Sequence, residues 1–172
     1  MHQTQSPPFK TEIKTSAVAF IVAWAVMSRA QAALWFDDRS LWEHTLALYP
    51  EELPIVHVNL GNVEFREGNM EAADKRYRTA LELDPDSIVA RTNLAWTSLR
   101  LKRFDAALAF ADDAIRLDQD SLQGWLAKAV ASQLSGRNNE AVTAYRRVLE
   151  LNPGNPDAVR NLDLLGAEKS AN

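Results

Sequence analysis

Three histidines, His2, His44 and His57, are the side chains whose ordinary pKa lies near neutrality, and no cysteine accompanies them. They stand in unrelated contexts with no H-E-x-x-H pair, so the chain lacks a metal-ligating or His-centred acid–base constellation. There is no thiolate nucleophile, no G-x-S-x-G elbow and no glycine-rich phosphate loop. The sequence therefore predicts no catalytic residue, no cofactor site and no metal site. What remains is the chemistry of recognition. Aromatic and guanidinium side chains stand close in sequence, as in Phe65-Arg66 and in Trp96 with Arg100, and one cation, Arg29, closes an apolar run.

Charge narrows the partners. A formal net charge of −4 and a pI near 5.4, with both signs spread along the chain, supply no cationic footprint for a nucleic-acid backbone. With 172 residues the chain is long enough for one domain and a small appendage, held by an apolar core rather than by staples. Six glycines and seven prolines against abundant Ala and Leu point to helices.

Those helices are organised by repetition. Segments beginning at Pro54, Ile88 and Leu122 lie in register 34 residues apart with no gap. Small residues recur at Gly61, Ala95 and Ala129, at Ala73, Ala107 and Ala141, and at Ala80, Ala114 and Val148. The first two sets are 12 residues apart. That spacing puts one on each helix of an antiparallel pair, where anything larger than a methyl would hold the backbones apart. Gly68-Asn69, Lys102-Arg103 and Gly136-Arg137 mark the turn within each pair, and Asp84-Pro85, Asp118-Gln119 and Asn152-Pro153 close each pair.

The pattern resembles the tetratricopeptide repeat. His57 and Arg91 replace the early Trp that survives as Trp125, and Glu64, Ser98 and Ser132 occupy a usual Tyr position. The expected fold is all-α: an N-terminal transmembrane helix, then a right-handed α-solenoid of three helix pairs and a capping helix. The divisions are a tail over 1–12, a transmembrane helix over 13–36, a junction helix over 37–53, repeats over 54–87, 88–121 and 122–155, and a cap and tail over 156–172.

Residues 16–28, SAVAFIVAWAVMS, form the one continuous apolar run, and three readings are open to it. A secretory signal would use Lys10, Lys14 and the Ala30-Gln31-Ala32 cleavage pattern. A buried core helix needs only the run itself. A span from Ile13 to Phe36 is long enough for a bilayer of roughly 30 Å but carries Arg29 within it. The stretch QAALWFDDRSLWEHTLALYPE before the first repeat resembles the junction in polytopic membrane glycosyltransferase-like proteins with C-terminal tetratricopeptide repeats, through Gln31, Trp35, Asp37, Leu41 and Trp42. That resemblance implies an uncleaved helix. For such a span the amphipathic rings of Trp35, Phe36 and Trp42 are the expected interfacial anchors, and Arg29, costly within a bilayer unless it finds an acceptor, is the expected membrane-partner contact. Lys10 and Lys14 before the span, set against Arg29 near its far end, favour an N-terminus in the cytoplasm and repeats in the periplasm or lumen, the side that the resemblance also implies for the repeats.

A stack of repeats offers a concave groove lined by its first helices. Their non-packing faces give Val58, Asn62, Phe65 and Arg66, then Thr92, Trp96, Leu99 and Arg100, then Leu126 and Val130 as candidate partner contacts. Phe65 and Trp96 fit core packing between repeats as well. Some tetratricopeptide domains resemble one another in a carboxylate clamp for acidic chaperone C-termini. Its two Asn positions are filled here by Asn62 and Asn93, but its basic positions fall on Val58, Gln123 and Ala127, so capture of a terminal carboxylate is not expected.

The expected function is a non-catalytic scaffold for other proteins at a membrane, as an accessory subunit or assembly factor. The expected partners are integral membrane subunits and the lipid bilayer, without nucleic acid or a small-molecule ligand. The alternatives are a soluble exported periplasmic adaptor and an auxiliary component of a membrane glycosyltransferase system.

Overall fold

The computed structural model describes residues 38–49 and 53–170, and every element among them is helical. The chain divides into units of residues 1–44 and 45–172, with α1 (Asp38–Leu48) crossing the division. The second unit holds α2 (Pro54–Glu67) and α3 (Met70–Leu83), α4 (Ile88–Arg100) and α5 (Phe104–Leu117), α6 (Leu122–Leu134) and α7 (Asn138–Leu151), and finally α8 (Pro156–Ser170). Each helix packs on the next from α2 to α8, while α4 also touches α2 and α6, which sets the first helices of the pairs side by side.

The 34-residue register is visible in the turns. Gly68, Lys102 and Gly136 each adopt positive φ, at 88°, 58° and 76°. In each case the next amide reaches back to the preceding helix: Asn69 to the Glu64 carbonyl at 2.9 Å, Arg103 to Ser98 at 2.8 Å and Arg137 to Ser132 at 2.8 Å. A left-handed residue at this place satisfies carbonyls that the helix leaves open. Between pairs, Ser87 Oγ and Ser121 Oγ accept from the amides of Ala90 and Gly124, and Asn155 Oδ1 accepts from Ala158. These side chains start α4, α6 and α8 by occupying orphan N–H groups. Pro54 starts α2, its missing N–H being one the first turn does not need.

The nine small positions read from the sequence are all buried, the alanines and Val148 with no exposure. Gly61 shows why: a Cβ there would lie 2.5 Å from the Tyr77 ring. Close packing, rather than the exposed ion pairs between repeats such as Lys128–Asp112 at 2.7 Å and Arg137–Asp105 at 2.8 Å, dominates the stack, since each such pair contributes about 1 kcal/mol or less.

No described helix is long and apolar enough to cross a membrane. The longest, α8, has 15 residues, about 22 Å against a bilayer core of roughly 30 Å. The span expected over 13–36, with Arg29, Trp35 and Phe36, lies outside the described residues. Trp42 falls on α1, an 11-residue helix whose Arg39 and Glu43 pair at 3.4 Å.

Candidate functional site

The first helices bring two asparagines together. Asn93 Nδ2 on α4 donates to Asn62 Oδ1 on α2 at 3.0 Å, and the Tyr77 hydroxyl from α3 donates to the same oxygen at 2.9 Å. Burial pushes the Tyr77 phenol up, with Arg66 opposing, so it remains a protonated donor. With its Oδ1 held by two donors, Asn62 has its amide N–H groups to offer elsewhere.

Around this junction lies a cavity of about 570 Å³ walled by Phe65, Arg66, Trp96 and Arg100 with Asn62, Asn93 and Tyr77. The Arg100 guanidinium stands 5.6 Å from the centroid of the Phe65 ring, a cation–π contact that fixes both side chains on the wall. Among the described residues the lining holds two guanidinium groups and no carboxylate. Aromatic faces for apolar groups, amides for a main chain and cations for a carboxylate are what an extended acidic polypeptide requires.

A second cavity of about 340 Å³ continues the groove past Trp96, which lines both. Leu126, Val130, Leu134 and Gln133 of α6 form one side, Tyr145 the floor, and Asp157, Arg160 and Asn161 of α8 the other side. The Tyr145 hydroxyl donates to Gln133 Oε1 at 2.7 Å. Its pKa is pushed up to about 12, first by burial and then by the Asp157 charge, against the opposing Arg160.

Seven of the expected groove residues line these cavities: Asn62, Phe65, Arg66, Trp96 and Arg100 the first, Leu126 and Val130 the second with Trp96. Val58, Thr92 and Leu99 do not line either cavity and are buried. Val58 fills a notch left by Ala80 and Ala90, Leu99 packs among Ala107, Leu108 and Ala131, and the Thr92 hydroxyl returns to the Val89 carbonyl at 3.0 Å. The contributions of Tyr77 and of α8 were missed. The signal for α8 was present, because Asp157, Arg160 and Asn161 stand one further 34-residue step beyond Gln123, Leu126 and Ala127.

Among the described residues no group of His, Asp and Glu side chains could hold a metal ion. Two models of the tetratricopeptide repeat match residues 52–120 and 122–155, together more than half of the chain. The chain belongs to the tetratricopeptide repeat family. Its repeats form a non-catalytic protein-interaction scaffold. The chain is 35% identical over 114 residues to a DnaJ homolog subfamily C member 7 homolog of Schizosaccharomyces pombe, covering 64% of this chain and 24% of that protein. It is 32% identical over 119 residues to stress-induced-phosphoprotein 1 of Caenorhabditis elegans, covering 67% and 37%. The chain thus spans well under half the length of these relatives. The first repeat domain of Spaghetti (RPAP3), solved bound to an HSP90 peptide SRMEEVD, superposes with a TM-score of 0.67 at 28% identity, over 68% of this chain and 93% of that one.

These relatives correct the localisation expected from the junction. They are named as a DnaJ homolog and a stress-induced phosphoprotein, so the single-pass placement with a periplasmic or lumenal repeat domain, which rested on the junction resemblance, is withdrawn. These relatives and the superposing domain support protein partners and give no support to integral membrane subunits or lipid.

Proposed function

We propose that this tetratricopeptide protein is an adaptor whose groove takes an extended, acidic segment of a partner protein, and that the segment is held by its side-chain carboxylates rather than by a free C-terminus. The observation that carries the reading is the cavity of Asn62, Asn93, Phe65, Trp96, Arg66 and Arg100, cationic and apolar at once. The superposing domain's peptide, SRMEEVD, has the matching composition of an apolar Met and Val around two Glu. At the positions where a clamp would hold a terminal carboxylate, Val58 and Ala127 are buried and Gln123 is uncharged.

Fluorescence anisotropy with labelled SRMEEVD, as free acid and as C-terminal amide, tests this. Both forms should bind with similar affinity, and Arg100→Ala should weaken both by about tenfold, equivalent to about 1.4 kcal/mol. A free acid that binds more than tenfold tighter than the amide would assign terminal capture instead, and binding by neither would remove this peptide class from the groove.

A further inference from the structure

We infer that the groove is polarised and that α8 is one of its reading elements: the partner's acidic residues lie over α2 and α4, and an apolar side chain beyond Trp96 enters the cavity between α6 and α8. This rests on the groove reading above and extends it to a second subsite. The asymmetry is in the walls. Among its described lining residues the first cavity has the Arg100 guanidinium over the Phe65 ring and no carboxylate, so it favours anionic groups. In the second, Arg160 is the one cation among the described lining residues and pairs with Asp157 at 2.7 Å, so those residues leave no net positive charge to draw a carboxylate in. Leu126, Val130 and the exposed Leu134 give that cavity an apolar side, and an apolar group placed there gains by leaving water.

Trp96 sets the spacing. It is half-buried and lines both cavities, so a bound segment must pass over its ring with one side chain on each side. Neighbouring packed helices lie about 8–10 Å apart, and an extended chain advances roughly 3.3 Å per residue, so side chains about three positions apart reach the two cavities. The C-terminal helix, expected only to cover the end of the stack, does that with Ala158 and Leu165, both buried, while Asp157, Arg160 and Asn161 face the groove.

The test uses capped, fluorescein-labelled peptides GEEGGLG and its reverse GLGGEEG, each with an Ala-for-Leu partner, against the full chain. One orientation should bind, and its leucine form should bind at least fivefold tighter than its alanine form. Leu134→Asp places a carboxylate in the second cavity from an exposed position, and Asn161→Phe fills it from α8. Each should abolish the leucine advantage while leaving the alanine peptide's affinity unchanged, and circular dichroism checks that each variant stays helical. If Arg100→Ala weakens both forms but the leucine advantage is absent in the parent or survives both cavity variants, the second subsite is wrong and the groove reading stands. If no peptide binds the parent chain, both are overturned.

Discussion

Asn93 on α4 donates its side-chain amide to Asn62 on α2 at 3.0 Å, joining residues 31 positions apart across the first two repeats. The Tyr77 hydroxyl converges on the same oxygen at 2.9 Å, so one side-chain carbonyl serves three helices. The bond fixes the amides that face the cavity, and it couples recognition to the packing of one repeat on the next.

That convergence makes the two partners of Asn62 unequal to Asn62 itself. Asn62→Ala leaves both the Tyr77 hydroxyl and the Asn93 amide without their acceptor, and an unmet buried donor costs about 1–3 kcal/mol. Tyr77→Phe removes one donor and leaves Asn62 still bonded to Asn93. Urea unfolding should therefore show Asn62→Ala as the more destabilising change, and equal midpoints for the two variants would show that the shared oxygen contributes little.

How much of this was legible in sequence depends on how local its cause is. Turns at Gly68, Lys102 and Gly136 and the buried alanines follow from backbone geometry and close approach, which repeat every 34 residues and so announce themselves. The Asn62–Asn93–Tyr77 junction does not repeat: Ala95 and Ala111 stand where Gly61 and Tyr77 do, and Trp96 stands where Asn62 does. Val58, Thr92 and Leu99 were misplaced because helical periodicity gives the direction of a side chain but not how far the neighbouring helix reaches over it. Val58 lies under that overlap, whereas Phe65, two turns later, does not.

Gly61 and Tyr77 form a size-matched pair, since an added Cβ would meet the ring at 2.5 Å. Gly61→Ala should cost about 1–3 kcal/mol by overpacking. The second repeat has Ala95 against Ala111 in the same register, so a combined Gly61→Ala, Tyr77→Ala chain recreates a pairing already present. A double-mutant cycle should give a favourable coupling; additive losses would show that the clash is relieved elsewhere.

Lys102 holds the left-handed turn that Gly68 and Gly136 hold in the other repeats, at φ 58°. For a residue with a Cβ this conformation costs roughly 1–2 kcal/mol. Lys102→Gly removes that strain but frees the unfolded chain, so a net gain of about 0.5–1 kcal/mol is expected. A thermal melt that shifts upward supports this, and a downward shift would mean that the entropic cost exceeds the strain.

His57 links the fold to pH. It is 7% exposed on α2, its Nδ1 has no hydrogen-bond partner, and burial, reinforced by the Arg76 charge, holds its pKa below the usual 6.5. Above pH 6.5 both the folded and unfolded forms are neutral, and the group has no effect on stability. As pH falls below 6.5 the unfolded chain takes up a proton that the folded chain refuses, so the unfolded state binds more protons and stability is lost, by at most about 1.4 kcal/mol per pH unit from this group. The loss continues until pH passes the lowered folded pKa. The measurement is the difference between the parent chain and His57→Phe, which keeps an apolar ring in the packed position. Urea midpoints of the two should separate progressively from pH 6.5 downward, the variant falling less. Parallel curves down to pH 5 would show that His57 gains its proton in the folded chain as readily as in the unfolded one.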